Sequence, residues 1–194
     1  YLTALESGRY SLASVIDDAP IVVELDKRNT WTPSNFDNQA HGLVPLVRAL
    51  AESYNLATVR LGLDVGLEPI ADTLQRLGLP KKPTLYPSML LGALALTPIE
   101  VAQIYNTLAN GGFRVPLRAV RSVVAEDGEV LQRYEIEMTQ AADAGAVYAL
   151  NQAVVQVMER GTGRTVRGQL PQDIVVAGKT GTSDDLRDSW FAGF

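Results

Sequence analysis

A mixed fold of the α/β (α+β) class is what this sequence predicts, and three observations predict it. Apolar residues recur at helical spacing over 98–109 and 141–159. β-Branched and apolar residues cluster in short runs over 119–131 and 174–194, bounded by turn residues. No internal repeat or low-complexity stretch divides the chain, so its 194 residues fit one domain or most of a larger one.

Each element has a local reason. Ile21-Val22-Val23-Glu24-Leu25 reads as a strand, and residues 26–42 are polar and turn-rich, with Thr32-Pro33-Ser34-Asn35 as a loop. Leu43 to Leu61 reads as largely helical, interrupted near Ser53-Tyr54-Asn55, because Ser and Asn side chains compete for backbone hydrogen bonds. Leu67 to Leu77 is a helix that Gly78 stops and Pro80 closes. Thr97-Pro98-Ile99-Glu100 predicts a capping box: Thr97 caps, Pro98 suits the first turn, and Glu100 reaches back. Val101, Ile104, Tyr105 and Leu108 then make one stripe, ended by Gly111-Gly112. Ala119 to Val124, a turn at Asp127-Gly128, and Val130-Leu131 predict a hairpin. A helix from about Ala141 to Glu159 carries Val147, Leu150, Val154 and Val157 on one face, and Gly161-Thr162-Gly163 terminates it. Tyr105 and Tyr148 read as core positions. Ile174 to Gly178 leads as a strand into Lys179-Thr180-Gly181-Thr182. A turn at 183–188 then leads to a second strand at Ser189-Trp190-Phe191-Ala192-Gly193-Phe194.

Composition narrows the function classes. The net charge of −5 argues against a nucleic-acid partner. With no cysteine, disulfides and thiolate zinc sites are excluded, and one histidine makes no transition-metal site; no cofactor is expected. The longest apolar stretches, such as Met89 to Leu96, are too short to span a bilayer.

The chemistry-bearing segment is Lys179-Thr180-Gly181-Thr182. A strand edge with a cation, two hydroxyls and a glycine can hold an anionic substrate: Lys179 supplies charge, the threonines supply donors, and Gly181 allows close approach. Gly178-Lys179-Thr180 also mimics the end of a phosphate-binding loop, but that motif needs glycine where Asp173 stands, and a helix should follow. His41 is the sole candidate base for a Ser-His-Asp arrangement, yet no Gly-x-Ser-x-Gly elbow exists, so it reads as a loop residue. Gly161-Thr162-Gly163 could bind an anion through its amides, though a helix stop explains it better. Ser53 and Asn55 alone would be residues capping a helix break; paired with Lys179-Thr180-Gly181-Thr182 they suggest a site.

Ser53-x-Asn55 and Lys179-Thr180-Gly181 resemble two of the three signatures of penicillin-recognising acyl-serine enzymes. The third, Ser-x-x-Lys, is absent: none of the nine serines has lysine three residues later. The likeness extends over Arg48 to Asn55, Met89 to Leu94, Leu96 to Gln103, Arg160 to Arg164, Ala177 to Thr182 and Asp188 to Gly193. Together these segments resemble the transpeptidase domain of class A, bifunctional penicillin-binding proteins of Gram-negative bacteria. The resemblance implies an antiparallel sheet with an all-helical subdomain, incomplete at both ends. Residues 1–194 would be a partial transpeptidase domain. The Ser-x-x-Lys helix would lie before Tyr1, and the last strands and C-terminal helix after Phe194.

The implied reaction is acyl transfer from a D-Ala-D-Ala stem peptide, through an acyl-serine, to an amine of a neighbouring strand. Ser53, Asn55 and Lys179 are the implied catalytic residues, and Thr180, Gly181 and Thr182 the substrate-binding ones. Ser53 would relay a proton, Asn55 would orient the substrate amide, Lys179 would hold the carboxylate, and the Thr182 N–H would donate to the oxyanion. The implied partners are peptidoglycan stem peptides on lipid II-derived glycan strands, β-lactams, a membrane reached through an N-terminal segment, and an outer-membrane lipoprotein activator. The implied location is the periplasmic face of the inner membrane, with a glycosyltransferase domain in the same protein. Two other classes stay open: a D,D-carboxypeptidase or serine β-lactamase-type hydrolase, and a non-catalytic β-lactam sensor.

Overall fold

The computed structural model describes residues 1–183 and 187–194. From the N-terminus it contains α1 (Leu2–Glu6), β1 (Val15–Asp17), the pair β2 (Val23–Glu24) and β3 (Thr30–Trp31), and β4 (Leu43–Pro45) antiparallel to β1. Helices α2 (Leu46–Ala51), α3 (Asn55–Val65) and α4 (Leu67–Leu77) follow, then a 3-10 turn at Pro87–Leu91 and α5 (Pro98–Ala109). Next are β5 (Phe113–Arg114), the hairpin β6 (Ser122–Val124) and β7 (Val130–Arg133), and β8 (Thr139–Gln140), which pairs with β5. The chain ends with α6 (Ala144–Glu159), α7 (Arg164–Arg167), β9 (Gly178–Thr182) and β10 (Ser189–Gly193). Among the described residues every strand pairing is antiparallel and two-stranded.

The core forms around α6. Its Ala146, Val147, Leu150, Ala153, Val154 and Val157 are buried on one stripe, as the 3.6-residue period requires. α1, α2, α5 and β9 all pack against that helix. Glu6 ties the layers together: it pairs with Arg76 of α4 at 2.6 Å and accepts from the Asp143 N–H, at the start of α6, at 3.0 Å. The capping box forms as expected, with the Glu100 carboxylate accepting from the Thr97 N–H at 2.7 Å. α4 spans its predicted residues and stops at Gly78, whose φ of 130° suits only glycine. The hairpin forms with its first strand starting at Ser122, and α6 starts at Ala144, three residues after the expected Ala141, because Asp143 caps it through the Ala146 N–H.

Four local expectations change. Leu43–Pro45 is a strand, because buried Val44 lies opposite Ile16 and the backbone completes a ladder with β1. The strand expected over 21–25 shortens to Val23–Glu24, since the Asp26 carboxylate accepts from the Arg28 and Asn29 N–H groups and turns the chain early. Ile174 and Val175 are exposed and outside β9; only Ala177 exchanges backbone bonds with Phe194, at 2.8 Å each way. Tyr148 lies on the solvent face of α6, 67% exposed, opposite the apolar stripe. The middle of the turn expected at 183–188 lies outside the described residues; its ends meet where the Asp188 N–H donates to Ser183 Oγ at 2.8 Å.

Candidate active site

Three segments converge: the break between α2 and α3, strand β9, and the loop leaving α6. The break is built by the end of α2. The Tyr54 N–H donates to Ala49 O at 2.9 Å and the Ser53 N–H to Leu50 O at 3.2 Å, the paired bonds of a Schellman motif. That motif needs one left-handed residue, usually glycine, and Ser53 occupies the position with φ of 60°. A side chain tolerated in that strained conformation is a mark of function where the side chain itself is used.

The N-terminus of α3 is held from a distance. Tyr54 offers no capping oxygen, so the first amides of α3 need other acceptors. Asn35 Oδ1 accepts from Asn55 N–H at 2.7 Å and Leu56 N–H at 3.2 Å, and Asp18 Oδ1 accepts from Ala57 N–H at 2.8 Å. The Asn35 amide donates in turn to Asp18 Oδ2 at 2.6 Å. His41 sits in this network, 2.7 Å from Asp18 through Nδ1, with its ring stacked on Tyr54 at 3.9 Å. Its ties to Asp18, Asp37 and Tyr54 agree with reading it as a loop residue. Ser53 is therefore not the cap of α3; loop side chains do that work.

Asp18 is fully buried and accepts from the Asn35 amide and the His41 and Ala57 N–H groups, with His41 Nδ1 as a fourth partner. Replacing it by Ala strands them, at roughly 1–3 kcal/mol for each buried unsatisfied group. Asp18→Ala is expected to lower the melting temperature of the domain by at least about 6 °C. An unchanged thermal melt would show that α3 does not depend on this remote cap.

β9 supplies the second wall. Lys179 Nζ donates to Ser53 Oγ at 2.8 Å and to Thr180 O at 3.0 Å. Burial lowers the Lys179 pKa to about 8, because the cation loses solvent. Since Ser53 Oγ accepts from Lys179, its own O–H remains to donate elsewhere. Gly181 and Thr182 are exposed at the end of the strand; a Cβ on Gly181 would meet nothing closer than Trp190 Cβ at 3.9 Å. Asn55 lies in the first turn of α3, and its Nδ2 donates to Ser34 O at 2.8 Å. The structure thus joins Ser53 directly to Lys179, while the Asn55 amide nitrogen turns to the loop. β9 pairs with antiparallel β10, where a phosphate-binding loop would open a helix.

The third wall was missed as a site feature. The sequence offers Gly161-Thr162-Gly163 as a helix stop or, less well, an anion-binding loop, and its amides serve the fold, donating to Gln156, Ala51 and Val157 carbonyls. Its side chain matters more: Thr162 Oγ1 lies 2.7 Å from Thr180 Oγ1. Asp18 and Asn35 carried no sequence signal, because the α3 amides they cap lie 20 to 39 residues away. Among the described residues, no cluster of three or more His, Cys, Asp or Glu could hold a metal ion.

The family described as "Penicillin binding protein transpeptidase domain" matches residues 1–194. Penicillin-binding protein 1B of Escherichia coli is 46% identical over 197 residues, and that of Vibrio cholerae 43%. Both alignments take in all of this chain, which spans only 23% and 25% of those relatives' lengths. In structure, penicillin-binding protein 1A of Haemophilus influenzae matches with a TM-score of 0.91 at 23% identity, over all of this chain and 34% of that one. Penicillin-binding protein A of Mycobacterium tuberculosis, as an imipenem acyl-enzyme complex, matches at 0.83 and 21%, over all of this chain and 48% of that one. The fold is that of penicillin-binding transpeptidase domains, and by sequence the chain belongs to the penicillin-binding protein transpeptidase family.

Proposed function

We propose that residues 1–194 form three walls of a peptidoglycan D,D-transpeptidase site that works through an acyl-serine intermediate. The observation that carries this is the Lys179–Ser53 contact of 2.8 Å on a strand edge. Ser-x-x-Lys does not occur in residues 1–194, so the nucleophile and its base lysine belong to another part of the protein.

In this reading the serine oxygen attacks the penultimate D-Ala carbonyl of a stem peptide. The negative charge on the tetrahedral intermediate is held by the Thr182 N–H and the nucleophile's own N–H. Collapse breaks the peptide bond, and Ser53 relays to the leaving D-Ala amine the proton that the base lysine took from the nucleophile. An amine from a neighbouring strand then takes the acyl group and frees the serine. Lys179, Thr180 and Thr182 hold the terminal carboxylate, and Asn55 orients the substrate amide. Gly181 lets the peptide lie along the free part of the strand edge. β-Lactams enter by the same route and stop at the acyl-enzyme.

The whole protein would join this domain to a glycosyltransferase and a membrane anchor on the periplasmic face of the inner membrane, with an outer-membrane lipoprotein as activator. Among the described residues no helix is long and apolar enough to cross a membrane. The likeness of the whole chain to the 1B proteins favours transfer to an amine over hydrolysis or sensing.

Labelled penicillin tests the proposal. The full-length protein should form a stable covalent adduct and should release cross-linked peptide dimers from a stem-peptide substrate. The 194-residue chain alone should form none. An adduct mapped to Ser53 or any other serine of residues 1–194 would overturn it, as would release of hydrolysed monomers only.

A further inference from the structure

We propose that Thr162 is a positioning residue for the carboxylate subsite, setting the direction in which the Thr180 hydroxyl donates. The inference rests on the reading above, in which Thr180 binds a substrate carboxylate. The two hydroxyl oxygens are 2.7 Å apart, a normal O–H···O distance. Only one proton lies between them, so the second is left to point away from the pair. When Thr162 donates to Thr180, the Thr180 proton is directed outward, and the chain of two bonds strengthens both. A carboxylate only accepts, so a donor aimed at it in advance is what the subsite needs.

The loop that carries Thr162 is fixed against the other wall. The Thr162 N–H donates to Ala51 O at 3.2 Å, and Ala51 lies two residues before Ser53. A Cβ on Gly161 would come within 2.0 Å of that same oxygen, so only glycine allows the approach. One short loop therefore touches α2 through its backbone and β9 through its side chain. Stability gives little reason for the hydroxyl pair. Thr162 is exposed, and solvent would satisfy either oxygen if the other were lost.

The experiment compares second-order acylation rates of the full-length protein with a carboxylate-bearing penicillin, alongside thermal melts. Thr162→Val removes the hydroxyl and keeps the shape; Thr162→Ser keeps the hydroxyl. The Val variant should acylate about 5–10-fold more slowly at an unchanged melting temperature, as expected for one modest hydrogen bond. The Ser variant should acylate as the parent does. Thr162→Val should add nothing in a Thr180→Val background, because Thr162 acts only through Thr180. Normal acylation by the Val variant overturns the proposal, as does additivity of the two substitutions. If Thr180→Val is slow while Thr162→Val is normal, the carboxylate reading stands and this inference falls. If Thr180→Val itself acylates normally, the carboxylate reading fails and takes the inference with it.

Discussion

Ser53→Ala in the full-length protein is expected to slow penicillin acylation by about 10²–10⁴-fold, the usual contribution of a positioned proton-transfer group. Ser53 Oγ accepts from Lys179 and so has its own proton available for relay. The Ala variant removes the hydroxyl and keeps a Cβ at a φ of 60°, as the parent does. Ser53→Gly removes the hydroxyl and relieves the strain as well. Glycine is the ordinary residue at this point of a Schellman motif, so the fold should be at least as stable as the parent. Acylation should still fall as far as in the Ala variant, because both lack the hydroxyl. Stopped-flow rates and melts on the two variants decide the matter. A Gly variant that acylates at the parent rate removes Ser53 from the mechanism and leaves it as a helix terminus.

Lys179→Ala is expected to cost on the order of 10²–10³ in acylation rate, typical for loss of one preorganised electrostatic contact. The pH profile gives the sharper signature. Burial lowers the Lys179 pKa from 10.5 to about 8 in the folded protein. If the cation holds the substrate carboxylate, second-order acylation should fall as pH rises through about 8, since that rate constant reports the free enzyme. Unfolding does not explain such a fall. A lysine whose folded pKa lies below its unfolded value binds fewer protons when folded, so its contribution to stability increases between about pH 8 and 10.5. Lys179→Arg should move the alkaline limb upward, because guanidinium does not titrate there. A profile identical in parent and Arg variant would assign the limb to another group.

Much of the helical framework is legible in the sequence, because its causes are local. The capping box at Thr97 and Glu100 closes within one turn, and the α6 stripe follows from the 3.6-residue period. The short strands were less legible. β4 is extended because β1, some 28 residues earlier, offers a ladder, and helical spacing in Leu43–Leu61 carried no trace of that partner. Tyr148 is a different case: it reads as core by residue type, yet the 3.6-residue period already sets it opposite the Val147, Leu150, Val154 and Val157 stripe, where it is exposed.

By itself the sequence determined which groups are present: a lysine, two threonines and a glycine in one strand, and a serine and asparagine at a helix break. It also determined that no Ser-x-x-Lys stands among these 194 residues. Only the tertiary structure decided how the groups meet. Lys179 and Ser53 are 126 residues apart and meet in a 2.8 Å hydrogen bond, Thr162 joins Thr180 across a packed loop, and Asp18 and Asn35 cap a helix they do not belong to. The physical reason is range. Caps, turns and periodicity act over a few residues and leave a mark in sequence, whereas these contacts exist only once burial around α6 has brought distant segments together.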